Sequence, residues 1–174
     1  TKSFVLLCFN ERILPLNNYD FSRDLICENL TVKDNTLYFA GQNTVSLAKE
    51  YGTPVYLMDE DRIRACCRTY VNAVKSAFGD KGQVLYASKA ASFKRMYEIM
   101  REEDMGIDVV SCGEIATAMK AGFPLSNAFF HSNNKTDADI DFAISNGIGY
   151  FVIDSEEELC AIDEIAYKHN IIQK

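Results

Sequence analysis

The amino-acid sequence predicts an α/β fold: part of a (β/α)8 barrel of the TIM type, preceded by a short β-hairpin. Short apolar runs begin near residues 84, 107, 128, 150 and 171, and helical patterns separate them. The runs start about 21 to 23 residues apart, a spacing typical of strand–helix units in a parallel sheet. Right-handed crossovers leave a barrel or a doubly wound sheet, and the even period favours the barrel.

Two β elements and a helix are predicted before this repeating pattern. Residues 30–41, LTVKDNTLYFAG, are typical of a β-hairpin that turns at Lys33-Asp34-Asn35. The hairpin does not follow the strand–helix rhythm, so we expect it to belong to a β-rich domain. A strand is predicted at residues 54–59, and the helix after it has an apolar stripe formed by Ile63, Cys66, Tyr70, Val71, Val74 and Phe78.

The later helices have recognisable start signals. A capping residue is followed three positions later by an acidic residue at Ser111 and Glu114, Thr136 and Asp139, and Ser155 and Glu158. The helix after Ser111 is expected to turn Ile115, Ala118 and Met119 inward and to end at Gly122. The helix after Thr136 is expected to end near Asn146 and Gly147.

The domain organisation follows from these elements. Residues 1–45 are assigned to an N-terminal segment containing the hairpin, and residues 46–174 to the first part of the barrel. A complete barrel normally takes about 250 residues, whereas the 174 residues here supply four or five strands. We therefore expect the chain to be the N-terminal part of a larger protein and to be inactive alone.

Composition excludes several classes of function. With 48% hydrophobic and 25% charged residues, the chain has the composition of a globular protein. Its net charge of -7, without a basic run, argues against a nucleic-acid or anionic-membrane partner. The apolar run at residues 4–9 is too short to span a membrane. The six cysteines form no CxxC pair and only two histidines are present, so we expect reduced cysteines, a cytoplasmic protein and no metal site.

The candidate site lies where the predicted strands end, because barrel active sites lie at the carboxyl ends of the strands. These ends carry Lys89, Asp108 with Ser111, His131 with Asn133 and Asn134, and Asp154 with Ser155. Lys89 shares strand parity with Leu85 and Ala87, so partial desolvation is expected to lower the pKa of its amine and make it nucleophilic. The alternative is that Lys89 forms a cap or an ion pair with Asp108.

Several motifs resemble those of diaminopimelate decarboxylases, pyridoxal-phosphate enzymes of the alanine-racemase-like barrel class. The matching stretches are YGTPVYLMDEDRIR (51–64), VLYASKA (84–90), GIDVVSCGEIATAMKAGFP (106–124), FFHSNNKTDADIDFAISNGIG (129–149) and VIDSEEEL (152–159). They occur in the family's order and cover most of the chain from about residue 30. Residues 1 to about 28 are poorly matched.

The resemblance implies a cofactor, a reaction and roles for three residues. Lys89 would form the internal aldimine with pyridoxal 5'-phosphate, Asp108 would lie near that lysine, and His131 would line the cofactor side of the site. Cys112 replaces a glycine that is common in the family and is not the catalytic cysteine. The implied reaction is decarboxylation of meso-2,6-diaminopimelate to L-lysine and CO2, in a cytoplasmic homodimer whose further site residues lie beyond Lys174.

Other functions fit parts of the same pattern. One is another barrel-type decarboxylase of the same class, acting on ornithine, arginine or carboxynorspermidine. A second is a non-catalytic pyridoxal-phosphate-binding homologue that regulates an active partner. A third is a barrel aldolase that uses a lysine Schiff base without the cofactor.

Overall fold

The computed structural model describes residues 27–174, and the apolar run at residues 4–9 lies outside them. The chain divides into two compact units, with the boundary between Ala65 and Cys66. The division into domains at residues 45 and 46 stays a prediction. Among the residues described, no helix is both long and apolar enough to cross a membrane.

The described part of the first unit contains a small antiparallel sheet. Strands β1 (Leu30–Lys33), β2 (Thr36–Phe39) and β3 (Gln42–Asn43) pair in that order, and helix α1 (Thr44–Tyr51) follows. The turn between β1 and β2 has positive φ at Asp34 and Asn35, 49° and 57°. Positive φ at both central residues suits the right-handed twist of a two-residue hairpin, so the predicted hairpin and its turn are confirmed.

The strand predicted at residues 54–59 is wrong. Only isolated bridge residues occur there, at Tyr56 and Asp59, and the segment joins neither sheet. Apolar residues favour an extended backbone, but a strand also needs a continuous ladder of hydrogen bonds to a neighbour. The sequence pattern predicts the first property and not the second.

The second unit alternates strands and helices. After helix α2 (Glu60–Phe78), within which the unit boundary falls, come β4 (Leu85–Ala87), α3 (Lys94–Glu102), β5 (Gly106–Val109), α4 (Cys112–Lys120), β6 (Ala128–His131), α5 (Asp137–Ser145), β7 (Tyr150–Val152) and α6 (Glu156–Lys168). The four strands form a parallel sheet in the order β4-β5-β6-β7. This sequential parallel order confirms the α/β class.

The pairing register shows which strand residues lie on the same face of the parallel sheet. Ile107, Val109, Phe130 and Phe151 are buried on the face that packs against the helices. Asp108 and Phe129 are paired neighbours on the opposite face, because strand side chains alternate. Parallel strands place all their carboxyl ends at one edge, which is where the candidate site residues lie.

The helix starts agree with prediction. The Ser111, Thr136 and Ser155 hydroxyls accept hydrogen bonds from the backbone N–H groups of Glu114, Asp139 and Glu158, and the Thr136–Asp139 pair forms a complete capping box. In α4, Ile115 and Ala118 are buried as expected, and Gly122 has a φ of 69° after the helix end. Met119 is 41% exposed, so its inward assignment is wrong.

Two further predictions differ from the structure. In α2 the buried residue is Cys67, whereas Tyr70 and Phe78 are 64% and 65% exposed, so the predicted stripe is displaced around the helix. Residues 171–174 form no strand, although the carbonyl of Lys174 accepts a hydrogen bond from the Phe151 N–H at 2.9 Å. This backbone hydrogen bond joins the segment to β7 without forming a strand ladder.

Candidate functional site

An open cleft of about 680 Å³ lies at the carboxyl ends of the parallel strands. Its volume is within the range of small-molecule sites, about 300 to 1,000 Å³. The residues that line the cleft are Lys89, Val110, His131, Ser132, Asn133 and Asp154. The structure therefore brings together four of the residues that the sequence predicts to meet, namely Lys89, His131, Asn133 and Asp154.

Lys89 follows β4 but does not continue it. The strand ends at Ala87, and Ser88–Ala90 form one turn of 3₁₀ helix. Lys89 is exposed while Ser88 beside it is completely buried. The predicted partial desolvation of Lys89 is therefore wrong for this structure, because the turn takes the residue off the apolar strand and presents its amine to the open cleft.

Asp108 lies in β5 on the cleft side of the sheet, and 22% of its side chain is exposed. Its Oδ1 atom is 3.8 Å from Nδ1 of His131. Burial raises the pKa of the Asp108 carboxyl, while the charges of His131 and Lys89 lower it. Lysine, imidazole and carboxylate thus interact electrostatically at one edge of the sheet.

The other residues predicted at the strand ends have different roles. Ser111 and Ser155 are helix N-caps. Asp154 lines the cleft, and its backbone N–H donates to Oε2 of Glu158 at 3.4 Å. Asn134 donates its backbone N–H to the Ser132 hydroxyl at 3.5 Å and is not among the residues that line the cleft. The serines therefore contribute to the site by fixing where the helices begin.

A buried ion pair that the sequence does not predict joins the chain segments that follow β6 and β7 at the cleft. The Lys135 side chain has no exposed surface, and that of Glu158 is 10% exposed. Lys135 Nζ donates to the carbonyls of Ser132 and Val152, at 2.5 and 2.9 Å, and to Oε1 of Glu158 at 2.5 Å. These bonds connect the loop after β6 with the end of β7 and the start of α6. The only sequence signal is weak: a lysine directly before the Thr136 N-cap.

Cys112 has a structural environment that does not suit a nucleophile. Its Sγ donates to Oδ1 of Asp139 at 3.1 Å. Burial, and then the hydrogen bond and charge of Asp139, raise the pKa of the thiol to about 12. The thiol therefore stays protonated near neutral pH.

Comparison with known proteins identifies the kind of domain that carries this cleft. Residues 61–174 match the family model described as "Pyridoxal-dependent decarboxylase, pyridoxal binding domain". This match confirms the cofactor expectation, pyridoxal 5'-phosphate, and the assignment of the strand–helix repeat to the pyridoxal-phosphate-binding barrel class.

Curated relatives and solved structures agree with the family match. Diaminopimelate decarboxylases of Staphylococcus aureus and Bacillus methanolicus are 45% and 42% identical over 140 and 135 residues, which are 79% and 78% of this chain. The structure of diaminopimelate decarboxylase from M. jannaschii in co-complex with L-lysine is similar with a TM-score of 0.72 and 29% identity, over 82% of this chain and 34% of that one. The chain spans about a third of the length of these curated relatives, 33% and 31%.

The residues of the cleft fit the cofactor. An aldehyde cofactor needs a primary amine that it can reach, and Lys89 presents one at the cleft. The carboxylate of Asp108 and the imidazole of His131 provide polar groups beside it. The cleft is therefore chemically suited to hold pyridoxal phosphate through a lysine.

Proposed function

This chain belongs to the pyridoxal-binding domain family of the pyridoxal-dependent decarboxylases, and on that premise we propose that Lys89 is the residue that holds pyridoxal 5'-phosphate. The observation that carries this proposal is the exposed amine of Lys89 at the cleft, next to Asp108 and His131. The primary amine of Lys89 would hold the cofactor through the cofactor's aldehyde group.

We further propose that the complete protein decarboxylates meso-2,6-diaminopimelate to L-lysine and CO2. The relatives from Staphylococcus aureus and Bacillus methanolicus carry the name of this activity, and the M. jannaschii enzyme was solved with L-lysine, the product. Bound pyridoxal phosphate supplies an electron sink for the bond that breaks. The protein supplies the binding, the orientation and the local charge.

The residues around Lys89 have separate proposed roles. The Asp108 carboxylate attracts the cationic form of the lysine, and this interaction lowers the pKa of Asp108. His131 lies across the carboxylate at 3.8 Å, too far for a hydrogen bond, and its exposed ring faces the cleft as a wall for the cofactor. Lys135 and Glu158 keep the loops after β6 and β7 in place.

The location and the assembly of the protein are also proposals. We propose a cytoplasmic homodimer that acts on a free amino acid. The absence of a membrane-spanning helix in residues 27–174 is compatible with this location. Sedimentation of the complete protein with and without cofactor tests the dimer, and a monomer under both conditions would contradict it.

The test of the cofactor lysine uses the complete protein and two variants. After incubation with pyridoxal phosphate and reduction with borohydride, peptide mass spectrometry should find the label on Lys89. Lys89→Ala should lose the label and the visible absorption of the bound cofactor. Lys120→Ala, which changes an exposed lysine in the last turn of α4, should retain both. A label on another lysine of the wild-type protein would show that the assignment is wrong.

The substrate is tested separately by measuring CO2 released from candidate amino acids. We expect release from meso-diaminopimelate and little from ornithine or arginine. Preferential release from ornithine or arginine would replace the proposed substrate. No release from any of the three, by a protein that carries the label on Lys89, would favour the non-catalytic homologue.

A further inference from the structure

Two tyrosines hold the segment that follows Lys89 from the side opposite the cleft. The Tyr86 hydroxyl donates to the carbonyl of Ala91 at 3.1 Å. A hydrogen bond of 2.9 Å joins the hydroxyls of Ser92 and Tyr97. Tyr86 comes from β4 and Tyr97 from α3, so the segment is tied to the strand before it and the helix after it.

Both phenols are built into the protein interior. Tyr97 has no exposed surface, and Tyr86 is half-buried on the side of β4 that alternates with the cleft side. Burial is the largest influence on both groups and raises the pKa of Tyr86 and of Tyr97 above 10.0. Both hydroxyls therefore keep their protons at neutral pH.

Lys89 lies between Tyr86 and Ala91, the two residues that the first of these hydrogen bonds joins. Ser88, on its amino side, is completely buried, and its hydroxyl lies close enough to the Tyr97 phenol to lower the pKa of that group. The Ala91 N–H donates to the carbonyl of Ser88 at 3.2 Å and closes the turn. Because Lys89 belongs to this turn, the point from which its side chain extends into the cleft depends on the backbone of the turn.

We infer that Tyr86 and Tyr97 are positioning residues for Lys89: their hydroxyls fix the turn that presents the lysine amine to the cofactor. The inference rests on the proposed role of Lys89. It assigns to one buried and one half-buried side chain, neither of which lines the cleft, an effect on the rate at which Lys89 and pyridoxal phosphate combine. Neither tyrosine touches the reacting atoms, so neither is a catalytic residue.

The experiment is a double-mutant cycle on the Ser92–Tyr97 bond in the complete protein. Tyr97→Phe and Ser92→Ala remove the same hydrogen bond from its two sides. Each variant should attach the cofactor about threefold to tenfold more slowly, as followed by the visible absorption of the lysine-bound cofactor. This range corresponds to the free energy of one hydrogen bond. The double variant should be no slower than the slower single variant, because the second change removes nothing further. Tyr86→Phe should slow the same step independently.

The controls separate positioning from general stability. Tyr167→Phe changes a phenol that is 85% exposed on α6 and should leave the rate unchanged. Ser92 is exposed, so Ser92→Ala tests the bond even if the buried Tyr97 variant does not fold. Thermal unfolding of each protein without cofactor shows whether the fold is weakened, and the borohydride-trapped fraction on Lys89 gives a second measure of attachment.

The outcomes distinguish this inference from the proposed function. Wild-type rates in Ser92→Ala and Tyr86→Phe, whatever their melting temperatures, would overturn the inference and leave the role of Lys89 intact. Failure of the wild-type protein to attach the cofactor at Lys89 would overturn both. Slower attachment in the variants, with wild-type behaviour in Tyr167→Phe, supports the inference.

Discussion

Asp108 shows at the scale of a single residue how the fold places a carboxylate where its charge is disfavoured. Burial raises the pKa of Asp108, and the neighbouring charges of His131 and Lys89 only partly oppose this. Between the ordinary pKa of an aspartate and the higher value in the folded protein, the folded state binds more protons than the unfolded state. The free energy of unfolding therefore falls as the pH rises through this window.

We predict that Asp108→Asn stabilises the protein at neutral pH. Asparagine has the same shape without the charge, so the free energy of unfolding should rise at about pH 7 and differ little from that of the wild type at about pH 4. Urea unfolding of the complete protein without cofactor at both pH values measures this.

Asp163→Asn, at an exposed position of α6, is the matched control and should have little effect at either pH. Destabilisation by Asp108→Asn at neutral pH would mean that attraction to His131 and Lys89 outweighs burial. The pKa of Asp108 would then be lower than its ordinary value rather than higher.

At the scale of the elements, the sequence predicts where helices begin better than it predicts which helix face is buried. The capping residues Ser111, Thr136 and Ser155 were predicted correctly because a cap acts within one helical turn. The buried face of α2 was partly wrong, with Cys67 inside and Tyr70 outside, because adjacent apolar positions leave the angle of the stripe undetermined. Lys135 was missed because its partners come from three separate elements.

We predict that Lys135→Met destabilises the protein strongly. Its removal leaves the nearly buried Glu158 carboxylate without its cation, a loss of about 3 to 5 kcal/mol in comparable pairs. Replacing both partners, in Lys135→Met with Glu158→Leu, should recover part of this loss because no unpaired charge remains. The free energy of unfolding from urea titration measures both changes.

A matched control separates the effect of losing the buried ion pair from the effect of losing any lysine. Lys120→Met changes an exposed lysine and should alter the free energy of unfolding by at most about 0.5 kcal/mol. Equal effects of Lys120→Met and Lys135→Met would contradict the assignment of Lys135 as a tie between the ends of β6 and β7.

At the scale of the whole molecule, the parallel sheet determines how stability is distributed. Strands β5 and β6 pair on both sides, whereas β4 pairs with β5 alone among the strands that the structure describes. An unpaired edge leaves backbone groups open to water and permits local opening. The lysine-bearing turn therefore follows one of the two edge strands among those described.

We predict that hydrogen exchange in the 174-residue chain is slowest in β5 and β6 and faster in β4. Ile107, Val109 and Phe130 should be protected most, since they are buried in the doubly paired strands. Exchange measured by mass spectrometry on overlapping peptides checks the order. Equal protection of β4 and β5 would show that another segment covers the outer edge of β4.

Most of the helices and strands, and the sheet edge that carries the candidate site, can be predicted from local sequence patterns alone. Strand spacing, helix caps and the Asp34-Asn35 turn depend on contacts within a few residues, and they predicted the parallel β/α order. They also predicted that Lys89, His131 and Asp154 would meet. The environment of these groups depends on the three-dimensional fold: the turn that exposes Lys89, the partial burial of Asp108, the ion pair of Lys135 and the tyrosines behind the turn. Such properties depend on atoms that are distant in sequence, and one-dimensional patterns do not contain those distances.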